Sequence, residues 1–304
     1  MLRRLPIVVG LLLAAISPAA SVAPFDRIDP DPPAPVDAMT VDPVLVGAGD
    51  IASCGSSGDS ATAALIRTIP GTVVTLGDNV YPDGSASQFA GCYDPTWGAF
   101  RLRTRPAAGN HDYGTANASA YFAYFGRLAG NPRYGFYAYN KGTWRIYVLN
   151  SNCSAVGGCD AGSPQESWLR NDLARNPHAC VLAYWHHPMF SSGEHGNDAM
   201  TRAFWDDLYA AHAELILNGH DHDYERFAPQ SPSGVATPRG IREIVVGTGG
   251  MSHYGFTTIR SNSQVRNDTT FGVLKVTLHA ASYSWQFIPV AGATFRDAGT
   301  TACH

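Results

Sequence analysis

The sequence of 304 residues lacks three features that would each point to a class of protein. It has no excess of positive charge, because 21 Lys and Arg residues face 25 Asp and Glu residues, and this disfavours a nucleic-acid scaffold binder that relies on a cationic surface. No later segment approaches the roughly 20 consecutive apolar residues of a transmembrane helix. No two cysteines have the Cys-x-x-Cys spacing of a zinc knuckle or a redox motif. We therefore expect a mature chain without a membrane span.

The N-terminal segment predicts export. Arg3 and Arg4 precede an apolar run over residues 7–16, and small residues follow where a signal peptidase would cut. We interpret residues 1–23 as a signal peptide, although Pro24 disfavours cleavage directly before it and leaves the first mature residue open. Removing Arg3 and Arg4 changes the formal net charge from -4 (21 minus 25) to -6 (19 minus 25). The expected location is secreted or extracytoplasmic.

Six cysteines are an even number in a chain expected to be exported, and this favours disulfide bonds. Cys153 and Cys159 could close a small loop, and Cys54 and Cys92 could tie two loops together. Many connectivities are possible for six cysteines, so the spacing alone leaves the pairing open.

The rest of the chain divides into a Pro/Asp-rich leader over residues 24–43 and one α/β domain over residues 44–304. Short apolar runs stop at polar residues, as in "VLVGAGD", "GTVVTLGDN", "CVLAYWHH" and "AELILNGHDH". Helices are predicted between these runs, over residues 60–68, 118–125, 165–176 and 199–212. Strands that alternate with helices indicate a sheet covered on both faces, with ligands beyond the strand ends. Later runs alternate as antiparallel strands do, so the sheet arrangement should be mixed.

Five short segments carry the ionisable chemistry, and each follows an apolar run or lies in a turn that contains glycine. Their carboxylates, imidazoles, amide and phenol are donors suited to hard or borderline metal ions, and no thiolate is among them. Glycine beside these residues lets the backbone turn sharply. The segments are Gly49-Asp50, Gly77-Asp78-Asn79-Val80-Tyr81, Gly109-Asn110-His111-Asp112, His186-His187-Pro188 and Gly219-His220-Asp221-His222.

The ordered series GD, GDNxY, GNHD, HHP and GHDHxYER resembles the calcineurin-like metallophosphoesterase superfamily and, within it, the purple acid phosphatases. It spans residues 49–226. The resemblance implies a four-layer α/β/β/α sandwich with two mixed sheets. It also implies that Asp78 bridges two metal ions. The remaining implied ligands are Asp50, Tyr81 and His222 for the first ion, and Asn110, His186 and His220 for the second.

Tyr81 distinguishes the subfamily. The general superfamily has a histidine where this chain has Ala52, whereas Tyr81 stands at the position of the iron-binding tyrosinate of purple acid phosphatases. With Asp50 and Asp78, a Tyr81 phenolate brings about three negative charges, which a trivalent and a divalent ion would convert to roughly +2, suited to an anionic phosphate. The implied cofactors are Fe(III) at the tyrosinate site with Fe(II), Zn or Mn beside it.

Two further histidines are candidate catalytic residues. His111 follows an implied ligand, so we expect it to contact the substrate phosphate or to orient the nucleophile. His195 lies nine residues past His186 on a loop bounded by glycines, where it could bind phosphate or protonate the leaving oxygen, as a histidine does in similar enzymes. A solvent-facing loop histidine is the alternative for His195.

Simpler interpretations exist for several of these residues. Asp50 and Asp78 could cap helices, a role that aspartate fills well. His187 could be a packing residue beside His186. Asp112 and Asp223 could orient imidazoles or lie on the surface. Glu225 and Arg226 are expected to form an ion pair under the site.

The residues and the resemblance together predict an exported phosphohydrolase that cleaves phosphate monoesters of small substrates by attack of a metal-bound hydroxide, with no protein nucleophile. A phosphodiesterase on the same scaffold is a close alternative, because specificity would lie in loops such as residues 155–164 and 193–197. A non-catalytic cell-surface binding protein that keeps the fold is an alternative of another class.

Overall fold

The computed structural model describes residues 41–304, and contacts group Val41–His304 into one unit. The expected signal peptide (1–23) and most of the expected leader (24–43) lie outside the described residues. Among residues 41–304, no helix has both the length and the apolarity needed to cross a bilayer.

Within residues 41–304, fifteen strands form two large sheets and one short two-stranded ladder. The six-stranded sheet has the order β15-β14-β13-β1-β3-β5, the seven-stranded sheet has the order β12-β10-β11-β9-β8-β7-β6, and β2 pairs with β4. In chain order the strands are β1 Val44–Ala48, β2 Ala52–Ser53, β3 Thr72–Leu76, β4 Val80–Tyr81, β5 Thr104–Ala107, β6 Tyr137–Lys141, β7 Trp144–Val148, β8 Cys180–Tyr184, β9 Leu215–Asn218, β10 Tyr224–Phe227, β11 Arg242–Val246, β12 Ser263–Asn267, β13 Gly272–Leu278, β14 Ser282–Pro289 and β15 Asp297–Ala302.

Both sheets are mixed, as predicted. In the six-stranded sheet β1, β3 and β5 are parallel, whereas β13 is antiparallel to β1. In the seven-stranded sheet β7, β8, β9 and β11 are parallel, and β6 and β10 are antiparallel to their neighbours. The parallel strands of each sheet therefore end at one edge.

Side-chain alternation explains why the seven-stranded sheet is covered on both faces. On β7, Ile146 and Val148 enter the core between the sheets, whereas Tyr147 enters a second core on the opposite face. Successive side chains of a strand point to opposite faces, so a nearly continuous apolar run is needed to fill both cores. The run "CVLAY" of β8 does the same, with Leu182 in the first core and Val181 in the second.

Helices form the outer layers and complete the four-layer α/β/β/α sandwich. The second core contains Leu169 of α5 and Trp205 of α6, and on the other side α1 packs against β13. The helices are α1 Gly58–Thr68, α2 Ala86–Gln88, α3 Ser119–Phe125, α4 Cys153–Val156, α5 Pro164–Arg175 and α6 Arg202–Ala210. A π-helical turn covers Phe89–Tyr93, and 3-10 turns cover Trp97–Arg103, Asp112–Gly114, Ala116–Ala118, Gly126–Ala129 and Ala199–Thr201.

The predicted helices are present, with one difference. The segment 199–212 divides into the 3-10 turn Ala199–Thr201 and α6, because Arg202 begins a separate α-helical run and His212 adopts a left-handed φ of 57° beyond its end. The other three predicted helices agree with α1, α3 and α5 to within two residues at their ends.

All six cysteines are paired, which confirms the expectation of disulfide bonds. The pairs are Cys54–Cys92, Cys153–Cys159 and Cys180–Cys303. The first two are the pairings that the spacing suggested. The third joins β8 to the segment after β15, across 123 positions of sequence.

Candidate metal centre

The seven predicted ligands follow the carboxyl ends of parallel strands, or the short strand β4 that continues from one of them. Because these ends meet at one edge in each sheet, and the sheets pack face to face, their loops converge. Asp50 follows β1, Asp78 and Tyr81 follow β3, Asn110 follows β5, His186 follows β8, and His220 and His222 follow β9. Asp50 and Asp78 cap no helix, since β2 and β4 come directly after them.

Three of these residues have a backbone conformation that side chains other than glycine rarely adopt. The φ angles of Asp50, Asp78 and His220 are 59°, 47° and 75°. Such a conformation costs on the order of 1–3 kcal/mol per residue, and it persists where surrounding contacts determine it. The strain therefore concentrates where the donor side chains converge.

Tyr81 is at the centre of the first group of donors. The parallel ladder of β2 and β4 places Tyr81 opposite Ser53, next to the loop that carries Asp50. The Tyr81 side chain is buried. Its hydroxyl oxygen lies 2.8 Å from Asp50 Oδ1, 2.9 Å from Asp78 Oδ2 and 3.0 Å from His222 Nε2.

His186 is at the centre of the second group. Its Nε2 lies 3.0 Å from Asn110 Oδ1, 3.2 Å from Asp78 Oδ2 and 3.2 Å from His220 Nδ1. The same carboxylate oxygen, Asp78 Oδ2, thus lies within 3.2 Å of the centre of each group. The two groups therefore share one atom.

Backbone carbonyls fix the orientation of two of the imidazoles. His186 Nδ1 lies 2.8 Å from the carbonyl oxygen of Leu76, and His222 Nδ1 lies 2.6 Å from that of Ser252. In the neutral imidazole, an N–H donated to a carbonyl leaves the other ring nitrogen with its lone pair, which is the form that binds a metal ion.

Burial and charge act against each other in this cluster. Burial disfavours the charged imidazole of His186, but the adjacent Asp78 carboxylate raises its pKa to about 9. Burial likewise opposes ionisation of Asp78, but His186 and His111 hold its pKa below the usual range. Burial, and then the Asp50 and Asp78 carboxylates, raise the pKa of the Tyr81 phenol well above its usual value. Without a cation, the protein alone keeps Tyr81 protonated.

Asp112 is a buried structural residue, neither an imidazole partner nor a surface charge. Its carboxylate accepts hydrogen bonds from the Asn79 side-chain amide and from the backbone N–H of Gly109, both at 2.9 Å. Burial, and then the charge of Asp78, raise its pKa to about 7. It thereby joins the loop of Asp78 to the loop of Asn110. Gly109 must be glycine there, because a Cβ would collide with the Asp78 carboxylate.

His111 and His195, the predicted catalytic residues, lie at the accessible side of the cluster. The backbone N–H of His111 donates to Asp78 Oδ1 at 2.8 Å, and its side chain is 36% exposed. The His195 ring lies 4.1 Å from the His220 ring and is held by Asp221, whose Oδ1 is 2.9 Å from both His195 Nδ1 and its backbone N–H. The hydrogen bond that His195 donates to the Asp221 carboxylate, and the charge of that carboxylate, raise the pKa of His195.

Three buried carboxylates hold the loop that carries His195. Besides Asp221, Glu225 accepts from the Ser192 N–H at 2.7 Å, and Glu243 accepts from the N–H groups of Met189 and Phe190 at 3.0 and 3.1 Å. The predicted ion pair of Glu225 with Arg226 is therefore wrong. Neighbouring side chains of a strand point to opposite faces, and Arg226 pairs with Asp297 at 2.7 Å.

The sequence interpretation missed a polar segment, 150–152, that follows β7 at the same edge. Ser151 Oγ lies 2.8 Å from His187 Nδ1, and the His187 ring lies 4.3 Å from the His220 ring. Burial, and then His186, lower the pKa of His187 to about 3. The signal was available, because "WRIYVLNSN" is one more apolar run that stops at polar residues.

The residues present fit a binuclear metal centre. Ligand atoms of Asp50, Asp78 and His186 lie within 4.8 Å of one another, as do those of His186, His187 and His220. The donors are carboxylate, phenol, amide and imidazole groups, the set that hard and borderline ions prefer. Except for Asn110, which is exposed, and His220, which is half-buried, the predicted ligands are buried.

Residues 43–224, more than half of the chain, match the family model of the calcineurin-like phosphoesterases. The chain therefore belongs to this family of metal-dependent phosphoesterases, whose sites typically bind two metal ions. Within it, purple acid phosphatases are distant relatives of the chain.

Purple acid phosphatase 15 of Arabidopsis thaliana is 28% identical over 223 residues, which are 61% of this chain and 41% of that protein. The uncharacterized protein Rv2577 of Mycobacterium tuberculosis is 28% identical over 185 residues, 48% of this chain and 35% of that protein. The chain thus spans less than half the length of these relatives.

Two solved structures show the same fold. The purple acid phosphatase PPD1 of yellow lupin has a TM-score of 0.68 at 18% identity, over 86% of this chain and 53% of that chain. GAP50, the anchor in the inner membrane complex of Plasmodium, has a TM-score of 0.66 at 14% identity, over 87% of this chain and 90% of that chain.

Proposed function

We propose that this chain is an exported phosphohydrolase of the purple acid phosphatase type, which cleaves phosphate monoesters at two metal ions. The observation that carries the proposal is the position of Asp78 Oδ2, 2.9 Å from the Tyr81 hydroxyl and 3.2 Å from His186 Nε2. One carboxylate that lies between two donor groups is what a bridging ligand requires.

The proposed ligands divide between the two ions as the resemblance implies. Asp50, Tyr81 and His222 would hold one ion and Asn110, His186 and His220 the other, with Asp78 shared. When bound, the ions supply a water of lowered pKa and positive charge for the phosphoryl oxygens. The imidazoles of His186 and His222 are already oriented for this by Leu76 and Ser252.

His195 is proposed as the proton donor to the leaving oxygen. Asp221 binds both its Nδ1 and its backbone N–H, so the ring is fixed and Nε2 is the nitrogen left to hold the proton. A positioned general acid contributes about 10²- to 10⁴-fold to such a reaction. His111, half exposed beside Asp78, is proposed to bind the phosphate.

The proposed metals are Fe(III) beside Tyr81 and Fe(II), Zn or Mn at the second position. Burial, and then the carboxylates of Asp50 and Asp78, raise the pKa of Tyr81 and favour the protonated phenol. A cation of high charge is therefore needed to keep Tyr81 ionised, and a hard anionic oxygen is a preferred ligand of trivalent iron.

Export, and the division into residues 1–23, 24–43 and 44–304, belong to the same proposal. Three disulfide bonds support export, because such bonds persist in oxidising compartments.

Metal analysis, combined with a paired assay on the full chain produced by export, tests the proposal. We expect two metal ions per chain, and faster hydrolysis of 4-nitrophenyl phosphate than of bis(4-nitrophenyl) phosphate. Faster hydrolysis of the diester would assign the site to phosphodiesters. A chain that binds no metal and cleaves neither ester would be a binding protein with this fold.

A further inference from the structure

A cavity of about 570 Å³ lies outside the proposed metal centre, since none of the predicted ligands lines it. A volume of this size suits a small organic ligand. Its walls come from three segments: the turns after the Asn110 loop, the segment before β6, and the end of α4 with the start of α5. The lining includes Tyr113, Asn117, Arg133, Tyr134, Val156 and Pro164.

A single buried side chain holds both tyrosine segments. Asn150 Nδ2 donates to the Tyr113 hydroxyl at 2.8 Å and to the backbone carbonyl of Tyr134 at 3.1 Å. Asn150 is fully buried. The side-chain amide of Gln165 accepts from the Asn150 backbone N–H at 2.7 Å and donates to its carbonyl oxygen at 2.8 Å. The tyrosine walls are thus fixed before any ligand arrives, which lowers the entropic cost of binding.

The cavity is connected to the metal centre through the same residues. Asn150 is followed by Ser151, which contacts His187. On the other side, the backbone N–H of Tyr113 donates to the carbonyl oxygen of Asn110 at 3.2 Å. The cavity wall and the metal centre therefore share two segments, the Asn110–Tyr113 turn and residues 150–152.

The lining favours flat rings. Two tyrosines stand with two prolines and Val156, and Arg133 is the one charged residue among the described residues of the wall. Its guanidinium lies over the Tyr134 ring, 5.3 Å from the centroid. Asn117, which also lines the cavity, has a left-handed φ of 54°. Backbone strain therefore occurs at the cavity wall as well as at the donor residues of the metal centre.

We propose that this cavity binds the leaving group of the substrate and selects a planar aromatic one, either a nucleobase or an aryl ring. This inference rests on the proposed phosphohydrolase function. It assigns Tyr113 and Tyr134 as specificity residues that take no part in the reaction itself.

Two matched pairs of substrates test the selection on the full, metal-loaded chain. Adenosine 5'-monophosphate and ribose 5-phosphate share a primary alkoxide leaving group and differ in the base. Benzyl phosphate and cyclohexylmethyl phosphate differ in the planarity of the ring. We expect kcat/KM to favour the aromatic member of at least one pair. A preference within the first pair alone would indicate that the cavity binds a nucleobase. A preference within the second pair would indicate that it binds an aryl ring.

Tyr134→Leu should reduce that preference about tenfold, because stacking of a base on an aromatic side chain is worth roughly 1–3 kcal/mol. The control is Tyr209→Leu on α6, outside the cavity, which should leave the ratio as in the wild type. Equal kcat/KM within both pairs for the wild type would overturn the inference and leave the phosphohydrolase function intact.

A binding measurement separates the two proposals if no substrate is cleaved. Calorimetric titration with adenosine 5'-monophosphate and ribose 5-phosphate should then still show tighter binding of the nucleotide, reduced in Tyr134→Leu. Equal affinities would overturn the cavity assignment as well.

Discussion

Tyr81 is the residue that connects the two carboxylates of the first donor group, since its hydroxyl contacts both Asp50 and Asp78. Tyr81→Phe removes this oxygen and keeps the ring in its buried position. We expect the variant to lose the visible charge-transfer absorption of an Fe(III)-phenolate and to bind iron more weakly. Absorption spectra and metal analysis of iron-loaded wild type and variant are the measurements.

The matched control for Tyr81 is Tyr121→Phe. Tyr121 is also fully buried, and its hydroxyl donates to the carbonyl oxygen of Pro106 at 3.1 Å, away from the cluster. Its loss should leave the visible band unchanged. A colourless iron-loaded wild type, or a band that survives in Tyr81→Phe, would contradict the proposed role of the phenolate.

His195 allows a second test at this scale. His195→Ala should slow hydrolysis of substrates with basic leaving groups by about 10²-fold or more, and substrates with good leaving groups much less. Asp221→Asn should show the same trend to a smaller extent, because the ring loses its charged partner at 2.9 Å but stays in place. The measurement is kcat/KM across a series of leaving groups.

Glu194→Gln, at the neighbouring exposed position of the same loop, is the control for His195. It should not change the slope of the series. If His195→Ala slowed all substrates equally, His195 would have to be assigned to phosphate binding or to packing.

At the scale of secondary-structure elements, helices α5 and α6 bring two acidic side chains together, Glu166 of α5 and Asp207 of α6. Burial, and then the charge of Glu166, raise the pKa of Asp207 to about 6, and Asp207 Oδ2 has no hydrogen-bond partner among the described residues. A carboxyl with a raised pKa binds its proton more tightly in the folded state. Its penalty is therefore absent below about pH 3.9, grows as the pH rises, and is complete above about pH 6.

Asp207→Asn removes that penalty, so the variant should be more stable than the wild type at pH 7 and similar to it near pH 4. After allowance for the partial exposure of the group, we expect a gain of about 1–2 kcal/mol. Thermal unfolding at both pH values measures it. Asp206→Asn, an exposed acid paired with Arg202 at 2.9 Å, is the control and should show no such gain. If both variants changed in stability by the same amount at both pH values, the raised pKa of Asp207 could not be the cause.

Much of the arrangement of elements was predictable because it depends on local patterns. Apolar runs that end in Gly-Asp or in a histidine marked the carboxyl ends of β1, β3, β8 and β9, and the parallel pairing brings those ends together. The same rule, applied to "WRIYVLNSN", would also have found Asn150 and Ser151. That segment was missed because asparagine and serine are common in turns and carry no charge.

Other features depend on contacts that the sequence does not encode locally. Asp112 accepts hydrogen bonds from Asn79 and Gly109, which are 33 and 3 positions away in the sequence. Arg226 pairs with Asp297, 71 positions later. The left-handed conformations of Asp50, Asp78 and His220 were also unforeseen, because aspartate and histidine prefer ordinary φ values in most surroundings.

For the molecule as a whole, the disulfide bonds give a direct test. Thiol titration of the denatured, unreduced protein should find almost no free thiol. Replacing both Cys180 and Cys303 by serine should cost about 4–5 kcal/mol of unfolding free energy, because their bond closes the longest loop, with a separation of 123. The same change at Cys153 and Cys159, separated by 6, should cost less. Denaturant titration measures both, and an equal loss would contradict the dependence on loop length.

The proposed ligands come from both sheets. Asp50, Asp78, Tyr81 and Asn110 follow strands of the six-stranded sheet, whereas the three histidines follow strands of the seven-stranded sheet. Ions that bind only when the two halves are docked stabilise the native state by mass action. The concentration of free metal in the surroundings would then affect how much of this protein stays folded there, so that a metal-poor environment would lower the amount of folded protein as well as the occupancy of the site.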